Sequence, residues 1–386
     1  MHDLFELVNG GWARTHEIPA DRGIDGAFYA LRDKSEADVR AILEDGAGLG
    51  GGIFQSFMDV GRLNAAGIDA LNPDLAEIEV SSVEDFVRGL GKLERVGIGG
   101  PVTYWVEKDS QGEDSVPYII QSGLGLPDEA YYREEDHAET LAAYQQHVAK
   151  MLGFLEPKYL LGLTPEIAAE RIVNLETHLA ASHWDVVKAR DAVATYNPTT
   201  LEEMPPLVRV LLSASGIPAG RVIDMMPSYT ADLDAMLRRE TLADWQLWAA
   251  WNILRSRAGV LAEAIGEANF EFYGKHLSGA TEQRDRWKRG VGLAESLVGE
   301  DIGRSYVEKH FPPSSKDTML ELVQYLIRAY RERISKLAWM SEPTKDKAQE
   351  KLAQFTSKIG YPDRWRSYQG LEFGPNLLEN VRRGAR

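Results

Sequence analysis

The chain has 386 residues with 44% hydrophobic and 26% charged side chains, enough to build a sizeable core and outside the range of collagen-like or disordered sequences. Its 43 Lys and Arg against 59 Asp and Glu give a net charge of −16, which disfavours nucleic acid and anionic lipid surfaces as partners. With no cysteine, disulfides, thiolate zinc sites, iron–sulfur clusters and Cys nucleophiles are excluded, so any metal must be held by His or carboxylates.

In chain order, the first residues lack the basic and apolar regions of a signal peptide, and no run of 18 apolar residues follows, so a cytoplasmic location is expected. Helices are predicted near 28–44, 54–66 and 82–96. Two β-prone runs, Val102–Glu107 and Val116–Gln121, flank the turn-rich Asp109–Asp114 and read as one hairpin. A helix follows at 136–153, and another begins at Thr164-Pro165 with Ala168, Ile172, Leu175 and Leu179 as its apolar stripe. Further helices are expected at 231–239, 242–257, 260–276, 282–297 and 343–356. From Ser314, the set Met319, Leu322, Val323, Leu326, Ile327, Tyr330, Ile334 and Leu337 spells a long amphipathic helix of about six turns. The fold class is mainly α with a small β-hairpin, and domain changes are expected near 46–52 and beyond about 360.

Few residues suggest chemistry on their own. Gly46, Gly48 and Gly51 match G-x-G-x-x-G, but they follow a helix and no βαβ unit surrounds them, so they read as an interhelical loop. No phosphate loop or nucleophile elbow occurs. A helical zinc site needs two His at i, i+4, and no pair has that spacing. His178 and His183, at i, i+5, would leave a helix roughly 140° apart and are expected to serve separate structural or surface roles. Trp245, Trp248 and Trp251 read as a core seam, with a ligand-stacking wall as the alternative. The basic run Arg284–Arg289 reads as ion pairs covering a helix, with an anion site as its alternative.

Longer phrases say more. Asp3-Leu-Phe-Glu-Leu-Val-Asn-Gly-Gly-Trp12, Glu17-Ile-Pro-Ala-Asp-Arg22, Gly26-Ala-Phe-Tyr-Ala-Leu-Arg-Asp33, Gln121-Ser-Gly-Leu-Gly-Leu-Pro-Asp-Glu-Ala-Tyr-Tyr132, Leu175-Glu-Thr-His-Leu-Ala180, His183-Trp-Asp185, Phe270-Glu-Phe-Tyr-Gly274, Phe311-Pro-Pro313 and Lys358-Ile-Gly-Tyr-Pro-Asp-Arg-Trp365 stand in this order along the whole chain. Together they resemble the neprilysin family of zinc metallopeptidases, in particular its PepO-like and mycobacterial zinc metalloprotease branch.

The resemblance implies a helical lid domain facing a thermolysin-like zinc domain across a closed chamber that admits peptides. It also implies that the family's H-E-x-x-H helix, the E-x-x-x-D motif that follows it and the substrate motif lie downstream of the segment resembling Tyr361–Trp365, and the sequence reaches Arg386 before any of them. On that basis residues 1–45 pack on the catalytic domain, 46–358 form the lid and substrate chamber, and 359–386 lead back to the catalytic domain. Catalytic residues, metal ligands and cofactors are then expected to be none in this chain. Zinc is expected in a partner, a second polypeptide with H-E-x-x-H and E-x-x-x-D forming a heterodimer that acts on peptide substrates. A stand-alone peptide-binding or regulatory protein, or a fragment of a full-length enzyme, are the alternatives.

In neprilysin an Arg and an Asp of the N-terminal segment help to bind the substrate. Here the matching positions are Ile24 and Tyr29, so Arg22, Asp25 and Tyr29 are the candidate substrate-binding residues. Phe5, Trp12, Phe28, Trp365 and Phe373 are expected to present apolar surface to the absent domain.

Overall fold

A computed structural model describes residues 3–46 and 48–385 and realises the helical period nearly everywhere it is predicted. The chain divides into two compact units. The first comprises 1–26, 57–285 and 376–386, and the second 27–56 and 286–375. The cuts therefore fall at 26/27, 56/57, 285/286 and 375/376, so that 286–358 groups with the helix after Gly26 and the last eleven residues group with the first unit.

The first unit is built around the helix Leu242–Arg257, which is buried on nearly all sides. Thr241 caps it by accepting from the Asp244 amide at 3.2 Å, and Trp245, Trp248 and Trp251 are fully buried along it, so the tryptophans form the expected core seam. The helix Pro165–Ser182 packs beside it, starting at the Thr164 cap and burying Ala168, Ile172, Leu175 and Leu179. In the helix Val83–Glu94, Ser82 accepts from the Asp85 amide, and Phe86, Val87, Leu90 and Leu93 face the core. Gly91 on this helix is required by packing: a Cβ there would collide with the Leu211 carbonyl of the helix Pro206–Ser215.

The predicted hairpin is present as β1 (Val102–Lys108) and β2 (Ser115–Gln121), antiparallel, with Val102 opposite Gln121. Two short strands add to it, β3 (Pro198–Thr200) and β4 (Arg221–Asp224), in the order β1-β2-β4-β3 with β2 and β4 parallel. The hairpin is thus half of a four-stranded sheet. A helix at Leu4–Thr15, capped by Asp3, and another at Leu377–Ala385 also lie outside the predicted set.

The second unit has a smaller core of Val39, Leu43, Ile53, Phe54, Val291, Ala294, Val298 and Ile302. The helices Ala27–Glu44 and Arg286–His310 supply most of it, the latter kinked where Val298 leaves helical geometry at φ −139°, ψ 40°. Gly46 and Gly48 both take positive φ in the connection that leads to Gly48–Met58, in agreement with an interhelical loop.

The long amphipathic helix is present as Pro313–Ser335, yet none of its residues is buried. Val323, Ile327 and Ile334 are half-buried, whereas Leu322, Leu326 and Tyr330 are 48%, 50% and 59% exposed. The expectation for the tail is corrected in turn. Trp365 stacks on Tyr361 at 6.0 Å and Phe373 packs against the second core, so both are half-buried within their own unit. No described helix is long and apolar enough to cross a membrane.

Candidate functional site

The N-terminal segment is positioned by backbone hydrogen bonds. The Ala20 carbonyl accepts from the amides of Thr281 and Glu282 at 3.2 and 3.1 Å and from Thr281 Oγ1 at 3.0 Å, which ties 18–22 to the turn after Leu277. The Arg22 amide closes a turn on the Pro19 carbonyl at 3.1 Å. This geometry brings two of the three predicted residues together. Arg22 Nη1 lies 3.3 Å from Asp25 Oδ1, Arg22 Nε lies 3.3 Å from Asp21 Oδ1, and Asp25 Oδ2 lies 2.6 Å from His16 Nε2. The His16 ring stacks on Trp12 with centroids 4.3 Å apart. The Gly26 amide, then His16 and the Arg22 charge hold the Asp25 carboxyl below its ordinary value. Arg22 is therefore already compensated by carboxylates. Tyr29 belongs to the first turn of Ala27–Glu44 in the second unit, where it is half-buried.

Three histidines of the first unit have separate contacts. His183 Nε2 donates to the Ser122 carbonyl at 3.2 Å, its ring meets Tyr229 edge-on, and burial lowers its pKa to about 4. His147 stacks on Phe272 at 4.9 Å and is likewise lowered to about 4 by burial. His178 Nδ1 lies 3.3 Å from Glu240. His178 and His183 thus serve separate partners, and among the described residues no group of three or more His, Asp or Glu side chains is arranged to hold a metal.

Sequence reasoning missed what the loop 121–126 does. Six side chains converge on its backbone: His183 and Tyr229 on the Ser122 carbonyl, Trp248 on Gly123, Arg255 on Leu124, Tyr273 on Gly125, and the Tyr132 hydroxyl accepting from the Gly125 and Leu126 amides. Behind the loop, Glu176 is buried and accepts from the hydroxyls of Tyr132 at 2.6 Å and Tyr144 at 2.9 Å. Trp251 Nε1 donates to Tyr144 at 2.8 Å. Burial pushes the Glu176 carboxyl up, while the two hydroxyls and Arg255 oppose the shift. Of this network the loop itself, Tyr132, Glu176, His183 and Tyr273 fall in the quoted phrases, while Tyr144, Tyr229, Trp248, Trp251 and Arg255 lie outside them. These hydrogen bonds position the loop backbone, which is a structural part.

Comparison with known proteins sets this geometry in context. Residues 1–362 match the pattern described as Peptidase family M13. The crystal structure of the Mycobacterium tuberculosis zinc metalloprotease in complex with an inhibitor is 40% identical, with a TM-score of 0.91 over 99% of this chain and 61% of that one. PepO of a Lactobacillus shares the fold at 24% identity, with a TM-score of 0.85 over 99% of this chain and 64% of that one. The neutral endopeptidase of Lactococcus lactis is 27% identical over 94% of this chain and 60% of its own length. The chain spans about half to three-fifths of the curated relatives it matches.

Proposed function

The chain belongs to peptidase family M13, and on that premise we propose that it is the non-catalytic N-terminal half of a zinc metalloendopeptidase, which works with a second polypeptide carrying H-E-x-x-H and E-x-x-x-D. The residues present do not fit a zinc ion. His147 and His183 are buried and neutral, His183 is spent on a carbonyl, and His178 faces Glu240. No step of hydrolysis is therefore assigned to this chain. Its contribution is the chamber wall and the surface on which the zinc-bearing half assembles.

The observation that carries this reading is the exposed apolar face of two helices. In Leu4–Thr15, Phe5 and Val8 are 66% and 69% exposed and Trp12 is exposed beside them, and Leu322, Leu326 and Tyr330 form a second stripe on Pro313–Ser335. Soluble monomers avoid such contiguous surface, and burying one such side chain in full contributes about 1.5–3 kcal/mol. Any contact that the N-terminal segment makes with a peptide would come from Arg22 and Asp25 as a compensated hydrogen-bonding pair, and from the Tyr29 ring and hydroxyl. Affinity purification of the tagged chain from its native cell tests the partnership. A stoichiometric partner with H-E-x-x-H is expected, and its absence would favour a stand-alone peptide-binding protein.

A further inference from the structure

A cavity of about 420 Å³ opens in the first unit between the end of Val83–Glu94, the short helix Asn72–Leu75 and the C-terminal helix Leu377–Ala385. Asp74, Glu77, Lys92, Arg95, Glu379 and Arg382 supply its charge. At its back Asp74 is buried, and Arg382 grips it with two hydrogen bonds of 2.9 Å from Nε and Nη2. The same carboxylate is also the counter-charge of Arg257, whose buried Nε lies 3.7 Å from Asp74 Oδ2 and has no hydrogen-bond partner. One buried carboxylate thus answers two buried guanidiniums.

The rim does not restore the balance. Lys92 is paired with Glu77 at 2.8 Å. Glu379 gives its nearer oxygen to Arg383 at 2.9 Å and reaches Arg382 Nη1 only at 4.0 Å. The Arg95 guanidinium, exposed at the mouth, makes no hydrogen bond or ion pair among the described residues. In a chain of net charge −16, this is a local concentration of uncompensated positive charge beside a space large enough for a small ligand.

We propose that this cavity binds a phosphate-sized oxyanion, held by Arg95 at the mouth and by Arg382 at the back, whose charge completes the Asp74–Arg257–Arg382 cluster. The planar donors of arginine suit an oxyanion better than a chloride ion, so binding should discriminate between the two. It should also hold the C-terminal helix in place, because Arg382 is that helix's anchor to Asp74 and to the Ala70 carbonyl.

The test is the melting temperature of the intact chain during titration with inorganic phosphate, with sodium chloride keeping ionic strength constant. A saturable rise in phosphate, absent in chloride alone, is expected. Arg95→Ala, at an exposed position, should weaken the apparent phosphate affinity at least tenfold, whereas Arg88→Ala, outside the cavity, should leave it unchanged. Equal effects of phosphate and chloride, or a phosphate response untouched by Arg95→Ala, would overturn the proposal.

Discussion

Acidification should unfold the first unit through two histidines. His147 and His183 are buried in their neutral forms with pKa values lowered to about 4 from an ordinary 6.5. Between those values the unfolded chain binds a proton at each site that the folded chain does not, so folding stability falls as pH falls. A difference of about 2.5 units at 1.36 kcal/mol per unit is about 3 kcal/mol per histidine, a large share of the 5–15 kcal/mol that holds a typical domain. Glu94, Glu176 and Asp224, whose carboxyls burial pushes up, act in the opposite sense and blunt the loss at the acid end. Urea unfolding followed by tryptophan fluorescence reports on this unit, since Trp245, Trp248 and Trp251 are buried in it. The midpoint should fall steadily from pH 7 to pH 5. His183→Gln keeps an N–H for the Ser122 carbonyl, and His147→Phe keeps a ring against Phe272, so the double variant should lose most of that slope. A midpoint independent of pH in the native chain, or a slope that survives both substitutions, would refute the argument.

Other substitutions separate packing from assembly. Gly91→Ala should destabilise the chain by roughly 2–3 kcal/mol in thermal unfolding, because its new methyl meets the Leu211 carbonyl, whereas Gly292→Ala, exposed with nothing within 4 Å, should stabilise by about 0.5–1 kcal/mol. Glu176→Ala leaves the Tyr132 and Tyr144 hydroxyls without their acceptor and should lower stability by roughly 3 kcal/mol, with Glu176→Gln milder since it still accepts. The pair Leu322→Lys and Leu326→Lys should leave the melting temperature within a degree or two while abolishing partner capture. A large drop in melting temperature would mean that the stripe is part of this chain's own core.

Much of the fold could be read from periodicity, and its limits have physical causes. The helix Leu242–Arg257 and the β1–β2 hairpin follow from local patterns, a cap followed by apolar residues and β-branched runs around a turn. Strands β3 and β4 are three and four residues long, too short to show a period, and exist through pairing with a distant hairpin. The helix Pro206–Ser215 is absent from the predicted set although Pro206 opens it, since a first-turn Pro loses no helical bond. The stripe on Pro313–Ser335 could be read as amphipathic, but a period cannot say whether the apolar face meets its own chain or another. Of the candidate site, the nearness of Arg22 and Asp25 is what a spacing of three residues allows, while the partnership with His16 depends on the turn held by Thr281.

Reconstitution tests the central claim most directly. The chain, purified alone, is mixed with a polypeptide carrying H-E-x-x-H and E-x-x-x-D from the same cell, and hydrolysis of a quenched peptide is followed. Neither component alone should turn over the peptide, the mixture should cleave it, chelation should stop it, and replacing the partner's motif Glu should abolish cleavage without preventing assembly. Hydrolysis by this chain alone, lost on chelation and restored by zinc, would contradict the account.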